Sequence, residues 1–328
     1  MKVLITGASS LLARRTAEAL LARGDDVVCL QRHAAPIDAT QVLGDIRDPV
    51  MVARAAAGCD AIIHAAAKVG VVGSWSDYRS INVDGTAAVL HAARQHDVAR
   101  IVHVSTPSVA HEGSSIIGAA ATSAVTGRTG AWYAESKAMA EQLAVAANSD
   151  DLAVVAIRPH LVWGPHDTQL VGRIVERARA GRLAMVGTGS ALVDTTYIDC
   201  AAAALVAAVD AVHPGARCAG QAYVIANGEP RPIRELVLGI CAAAGIDVSP
   251  RNVPRPLAIA AGVICERVWQ WRGASTEPPL TRFLAEQLGT AHWFDPRPAR
   301  DDLGWQPSVT IDEGLARLAN WFRETGGR

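Results

Sequence analysis

"KVLITGASSLLARRTAEALLARGDDVVCLQR", Lys2 to Arg32, holds two short apolar runs, "KVLIT" (2–6) and "DVVCL" (26–30), with a helix-forming segment between them. The junction "TGASSLLA" (6–13) joins the first run to the helix, which is where a phosphate-cradling turn belongs. A tight turn there frees backbone N–H groups and aims the helix N-terminus at a pyrophosphate. Gly7 supplies the first turn position, and Ser10 and Ala13 stand where a G-x-x-G-x-x-G pattern places its second and third glycines. Alanine still permits close helix–strand packing. Serine is a departure at a site of close backbone approach, although its hydroxyl can donate to a phosphate. The end of the second run selects the nucleotide, because an acid there binds a ribose 2′-hydroxyl whereas arginine accommodates a 2′-phosphate. The chain has Gln31-Arg32 and no carboxylate before Asp38. The expected cofactor is NADP(H), with NAD(H) the other choice.

The same rhythm continues outward. "DAIIH" (60–64), a helix through "GTAAVLHAARQH", "RIVHVS" (100–105), a further helix and "LAVVAI" (152–157) follow in order. Strands alternating with helices predict parallel βαβ units, and runs such as "AVVAI" fit strands covered on both faces. The fold class is therefore α/β, a doubly wound parallel sheet with a smaller C-terminal lobe for substrate. The domain expectation is a dinucleotide-binding unit over 1–165 with a return segment at about 193–226. Residues 166–192 and 227–328 form the substrate lobe, which closes over the sheet's C-terminal edge.

With 328 residues the chain can bury a large core, and half of them are apolar at a formal net charge of -1. That balance argues against a nucleic-acid partner and against a charge-driven disordered tail. Six scattered cysteines without C-x-x-C or paired Cys/His spacing read as buried free thiols, with no metal site expected. "MKVLITG" lacks the regions of a signal peptide, so a cytoplasmic location is expected. No apolar stretch reaches the roughly 18 residues of a spanning helix. The nearest, "PLAIAAGVICERVWQW" (256–271), is broken by Glu266 and Arg267. It reads as a helix bordering an apolar pocket through Leu257, Ile259, Val263 and Ile264, with a core helix or a shallow membrane contact as the other readings.

"WYAESKAMAE" (132–141) puts Tyr133 and Lys137 four residues apart on one helix face. A phenol can protonate the oxygen of a ketone as hydride arrives, and a neighbouring ammonium is expected to lower the phenol's pKa toward the operating pH. Thr106, at the end of a strand, can fix the carbonyl oxygen beside that phenol.

The elements "TGxxxxxA", "GDIRD" (44–48), "HAAA" (64–67), "NVDGT" (82–86), "VSTPSV" (104–109), "YAESK" (133–137), "RPHLVWGP" (158–165) and "LGWQPSVTIDEGL" (303–315) occur in the order of the extended short-chain dehydrogenases/reductases, which the chain resembles over essentially its whole length. Within them it resembles the 3β-hydroxysteroid dehydrogenase-like branch. Through "STPSV", "WGPHDTQLVGRIVERARAGRL", "LVDTTYIDCAA" and "PLTRFLAEQLGTAHWF" it is similar to the 2-alkyl-3-oxoalkanoate reductases of bacterial olefin biosynthesis. The resemblance implies a Rossmann lobe, NADPH, and reduction of a hydrophobic β-keto acid to the β-hydroxy acid. It implies Tyr133 as catalytic acid/base, Lys137 as its partner, and Thr106 in the catalytic Ser/Thr position with Ser105 beside it. For the cofactor it implies Gly7, Ser9, Ser10, Leu11, Leu12 and Ala13 at the pyrophosphate. Arg32, Asp45 and Ile46 fall on the adenine side, and Ala65, Ala66, Ala67 and Pro159 on the nicotinamide side. Leu161 and Val162 complete the set.

Where related sugar-nucleotide dehydratases carry an Asp-Glu pair after the threonine, this chain has Pro107 and Ser108, so dehydration is not expected. A 3β-hydroxysteroid dehydrogenase and an NAD-retaining sugar-nucleotide epimerase are the alternative enzymes. A nucleotide-sensing regulator is the non-catalytic one, disfavoured by the Tyr/Lys pair. His160, His166, Arg173 and Arg177 are candidates for a substrate carboxylate. The partner expectations are a small hydrophobic acid, a homodimer, and a peripheral membrane or biosynthetic-partner contact.

Overall fold

In the computed structural model, which describes residues 1–110, 114–127, 131–272, 278 and 280–326, seven parallel strands form the main sheet. In chain order they are β1 (Lys2–Thr6), β2 (Asp26–Gln31), β3 (Thr40–Leu43), β4 (Ala61–His64), β5 (Arg100–Val104), β6 (Ala153–Pro159) and β7 (Ala222–Ile225). Their spatial order is β7-β6-β5-β4-β1-β2-β3, all neighbours parallel. The order reverses between β1 and β4, and a doubly wound sheet opens its ligand crevice at the C-terminal ends of such strands. The chain adopts the Rossmann arrangement.

Strand alternation explains the apolar runs. Val3 and Ile5 enter one core with Val27, Cys29, Ala61, Ile63, Val155 and Ile157, while Leu4 enters a second with Val28, Leu30, Ile62, Ile101 and Val154. Both faces are covered, so neither set of alternate side chains has to be polar. Helix α1 (Leu11–Ala22) packs its Ala13, Ala17 and Leu20 into the first core; α2 (Gly85–Gln95) packs Val89, Leu90 and Ala93 into the second. Helix α3 (Trp132–Ala146) lies beside β5 and β6.

A second, four-stranded sheet is assembled from Arg231–Pro232, Leu192–Val193, His292–Phe294 and Ile116–Ala119. Further helices are α4 (Val171–Arg179), α5 (Ile198–Ala211), α6 (Arg255–Arg272) and α7 (Arg282–Leu288); α6 packs on α7, and α5 packs on α1 and enters the first core through Cys200, Ala204, Leu205 and Ala208. Among the described residues no helix is long and apolar enough to cross a membrane, and no group of His, Cys, Asp and Glu could hold a metal. All six cysteines are free thiols.

Helix α6 turns its large apolar residues outward: Leu257 and Ile264 are 62% exposed. Only Ile259 and Val263, both half-buried, lie nearer the inner side. The inner face is made of its smallest residues: Ala258 is 2% exposed, and a Cβ on Gly262 would come within 2.6 Å of the Thr281 carbonyl carbon. Close approach to α7 rewards small side chains and turns the large ones outward.

The centre of the sheet buries two histidines. His64 bridges Thr6 (Nδ1 to Oγ1, 2.7 Å) and Thr86 (Nε2 to Oγ1, 3.0 Å), tying β1, β4 and α2 together. His103 is fully buried 5.4 Å from it, and neither of its ring nitrogens has a hydrogen-bond partner in the protein. Burial, with the nearby Lys137 charge, holds His64 down to about 3 and His103 well below the ordinary value. Between those values and about 6.5 the unfolded chain binds the protons that the folded chain refuses, so stability rises with pH there and is lost on acidification. Thermal unfolding between pH 7 and pH 4 should show a slope of about 1.4 kcal/mol per pH unit for each histidine, and His103→Leu should flatten it while stabilising the fold at neutral pH. An unchanged acid limb in that variant contradicts this account.

Candidate active site

At the crevice, β1 ends in Gly7, whose φ of 74° is left-handed. A Cβ there would sit 2.7 Å from Ala66 Cα, so the turn and the chain leaving β4 touch backbone to backbone. Thr6 Oγ1 fixes that approach by accepting from Ala66 N at 3.1 Å. Ser9 and Ser10 are exposed, Leu11 and Leu12 half-buried. Ser10 caps α1 with extended backbone but makes no side-chain cap, which leaves the first N–H groups of the helix uncovered by protein side chains. A dinucleotide pyrophosphate fits this cradle. Ala13 is fully buried against the sheet, as close helix packing requires.

At the far side Arg32 is exposed beyond β2. Asp45 receives Arg47 through two parallel hydrogen bonds, Nε to Oδ1 at 2.9 Å and Nη2 to Oδ2 at 2.7 Å. Arg47, first by hydrogen bonding and then by charge, and Arg32 by charge, hold the Asp45 carboxyl down to about 2. Arg47, present in "GDIRD" but given no role from the sequence, is thus paired with Asp45, which also feels the Arg32 charge. Ile46 is buried against Gly85.

On the opposite side of the crevice lie half-buried Ala65, Ala66 and Ala67, and Pro159 at the end of β6. Leu161 has φ 42°, left-handed for a non-glycine residue, and Val162 pairs with Thr196. Asn82, fully buried, holds the chain after β4: its Oδ1 accepts from Lys68 N at 2.7 Å, and its Nδ2 donates to Lys68 O at 3.1 Å and to Ser136 Oγ at 2.9 Å. Ser136 Oγ in turn donates to Tyr133 O at 3.0 Å. Asn82 positions the loop and the first turn of α3 together, a role that spacing alone could not reveal.

Tyr133, Lys137 and Glu141 follow one another at intervals of one turn along α3. Thr106, beyond β5, donates from Oγ1 to Ser108 Oγ at 3.2 Å and favours the ionised form of the Tyr133 phenol. Lys137, 3% exposed, donates from Nζ to Val104 O at 2.7 Å. Glu141 takes Arg158 of β6 in a buried pair, with Nε to Oε2 at 2.8 Å and a second contact from Nη2 to Oε1. Ser105 is buried beside Thr106, and its hydroxyl has no protein partner.

The electrostatics correct one expectation. Burial pushes Tyr133 up to about 12, opposed by the Thr106 hydrogen bond, and Lys137 does not bring it down. The lysine is itself depressed, to about 8, because burial outweighs the favourable field of Glu141. Four-residue spacing placed the pair on one face, but desolvation decides both values.

Of the proposed carboxylate ligands, His160 is buried with Nδ1 on Asp194 O at 2.5 Å and its ring against Phe294. His166 packs edge-on to Trp321 at 5.1 Å. Arg173 and Arg177 lie one turn apart on α4; burial, and then the Arg173 charge, hold Arg177 below its ordinary value, opposed by Glu176.

The profile of the 3-beta hydroxysteroid dehydrogenase/isomerase family matches residues 5–255, and the chain belongs to that family. It is an NAD(P)-dependent oxidoreductase of the short-chain dehydrogenase/reductase type. Among its relatives, a 2-alkyl-3-oxoalkanoate reductase of Stenotrophomonas maltophilia (strain K279a) is 48% identical over 324 residues, 97% of this chain and 98% of that protein. A 2-alkyl-3-oxoalkanoate reductase of Shewanella oneidensis is 37% identical over 326 residues, 96% of this chain and 84% of that protein. In fold it is similar to a UDP-glucuronic acid 4-epimerase from Bacillus cereus in complex with NAD, at a TM-score of 0.75 and 19% identity over 99% of both chains.

A reducing enzyme needs Tyr133 protonated and Lys137 charged. With Tyr133 near 12 and Lys137 near 8, the group that limits ketone reduction on the alkaline side is the lysine. The pH profile of kcat/KM for the dinucleotide should therefore be level below neutrality and fall above about pH 8. Tyr133→Phe should lower kcat by about 10²–10⁴-fold at every pH, with dinucleotide affinity retained. A Phe variant of near-normal turnover removes the phenol from the chemistry.

Proposed function

We propose that this chain reduces a 2-alkyl-3-oxoalkanoic acid to the 2-alkyl-3-hydroxyalkanoic acid with NADPH, the proton on the new hydroxyl coming from Tyr133. The observation that carries the mechanism is Lys137, buried and bonded to Val104 O at the end of β5, one helical turn from Tyr133. The substrate class is supported by the relatives named above, which align with nearly all of this chain.

A nicotinamide dinucleotide bound in the crevice supplies the hydride. Thr106 orients the ketone oxygen, and Tyr133 delivers its proton as charge develops there. The Lys137 ammonium, one turn along α3 from Tyr133 and held by the Val104 carbonyl, is placed to hold the ribose of the nicotinamide. Solvent then returns the proton to Tyr133. Pro107 and Ser108, both buried, offer no acid or base for elimination, which agrees with simple reduction. Arg173 and Arg177 are the candidates for the carboxylate.

Alkyl chains have an apolar rim to rest on. Trp132 directly precedes Tyr133 and is 49% exposed, its ring 5.6 Å from that of Trp75, and Val69 and Val71 are exposed on the loop after β4. Each methylene buried there is worth about 0.8 kcal/mol, so kcat/KM should climb with chain length until the rim is covered. The deciding assay pairs NADPH or NADH with 2-alkyl-3-oxo acids of increasing length and with a 3-hydroxysteroid. Turnover confined to the steroid would overturn the substrate reading.

NADPH is the cofactor we propose because Arg32, exposed just beyond β2, can pair with a 2′-phosphate. Arg32→Ala should weaken NADPH binding about tenfold to a hundredfold and leave NADH binding nearly unchanged, measured by fluorescence titration. Equal losses for the two cofactors contradict the assignment.

A further inference from the structure

A groove separate from the crevice opens beside the outermost strand of the main sheet, between β3 and the helix Pro49–Ala56. Its volume is about 330 Å³, within the range of small-molecule sites. One end reaches Lys2, the first residue of β1, whereas the crevice begins at Gly7, beyond that strand's other end. The lining is largely hydrocarbon. Val28 and Ala55 belong to the second core, half-buried Val42 and Met51 add to them, and Leu43 is 52% exposed at the rim.

The charges around this lining have one sign. Lys2 and Arg54 both border the groove, and among the described residues neither is in an ion pair. The Lys2 ammonium lies beside the turn that follows the helix, where a Cβ on Gly58 would be 3.8 Å from Nζ. Asp60, next in the chain, accepts from the Lys2 backbone N–H at 2.7 Å and does not line the groove. Gln41 commits its side-chain amide to Gln31, Ala35 and Ile37.

That chemistry selects the ligand. No aromatic ring lines the groove, so a nucleobase would have nothing to stack on. Inorganic phosphate would meet the cations and leave the hydrocarbon lining in water. An anionic head with an alkyl tail satisfies both parts, the head at Lys2 and Arg54 and the tail along Val28, Val42 and Met51. The four residues of β3 give such a tail about 13 Å to lie along.

We propose that this groove binds one molecule of a medium-chain alkyl carboxylate at a site distinct from the reaction. No catalytic residue takes part, so the proposal stands or falls apart from the substrate reading.

The test is a titration of the full chain, labelled with ¹³C-methyl methionine, with octanoate below its micelle concentration. Of the four methionines Met51 lines the groove, and Met51→Leu assigns its signal. That signal should move saturably with octanoate and stay in place with methyl octanoate at the same concentration. Affinity should rise by up to about fourfold per methylene from hexanoate to octanoate. Lys2→Gln with Arg54→Gln should weaken binding at least tenfold, with circular dichroism checking the fold. Arg54→Gln alone, at an exposed helix position, should weaken it about threefold and serves if the double variant does not fold. No movement of Met51, an equal response to acid and ester, or unchanged affinity in Arg54→Gln overturns the proposal. Movement of Met139 or Met185 alone does so too, because the acid then sits elsewhere. A Met51 signal that moves with protein concentration in the absence of acid also overturns it, because the groove is then a contact between copies of the chain.

Discussion

A single buried ammonium organises the site. Lys137 is almost completely removed from water, and that environment pulls it to about 8. Three things keep its charge available: the Val104 carbonyl at 2.7 Å, Glu141 one turn further along α3, and Arg158, which fixes Glu141 by a buried pair. The result is a polar row through an otherwise apolar seam between α3 and the strands β5 and β6. A buried ion pair of this kind is weak evidence for stability, but it fixes geometry, since either partner alone would be an uncompensated charge. Here it sets the register of α3 against the sheet, and so the position of Tyr133 at the sheet's C-terminal edge.

The second constraint is steric. Because β1 and β4 are neighbours whose following chains diverge, backbone passes against backbone at Gly7 and Ala66. Thr6, His64, Thr86 and Asn82 stitch that junction by side-chain hydrogen bonds rather than by bulk. Small residues in "HAAA" follow from the same crowding. The uncapped N-terminus of α1 then offers its N–H groups where a pyrophosphate fits.

The first βαβ unit and the central strands were legible because both sheet faces are covered, which writes continuous apolar runs into the sequence. Strands β3 and β7 were not assigned as strands. The first is a four-residue edge strand without a fully buried residue, and the second returns to the sheet after a long excursion. Spacing singled out Tyr133, Lys137 and Thr106; in the structure Lys137 bonds to Val104 O at the end of β5, two residues before Thr106. It misjudged the direction of the tyrosine's pKa, because a four-residue interval carries no information about burial. Arg47, Asn82, Glu141 and Arg158 escaped notice for a related reason: each matters through a partner distant in sequence or through a local fork that only coordinates show. On α6 the apolar period was visible, but which face turned outward depended on the close crossing at Gly262.

The account's central claim is reduction at the ketone carbon of a β-keto acid with proton delivery from within the site. The most direct test is to supply NADPH deuterated at the transferable position with a 2-alkyl-3-oxo acid and to examine the product by mass spectrometry. The account predicts a 2-alkyl-3-hydroxy acid carrying the deuterium on C3 and a solvent-derived proton on oxygen. Product without label at C3, or label with loss of water from the carbon skeleton, would contradict it.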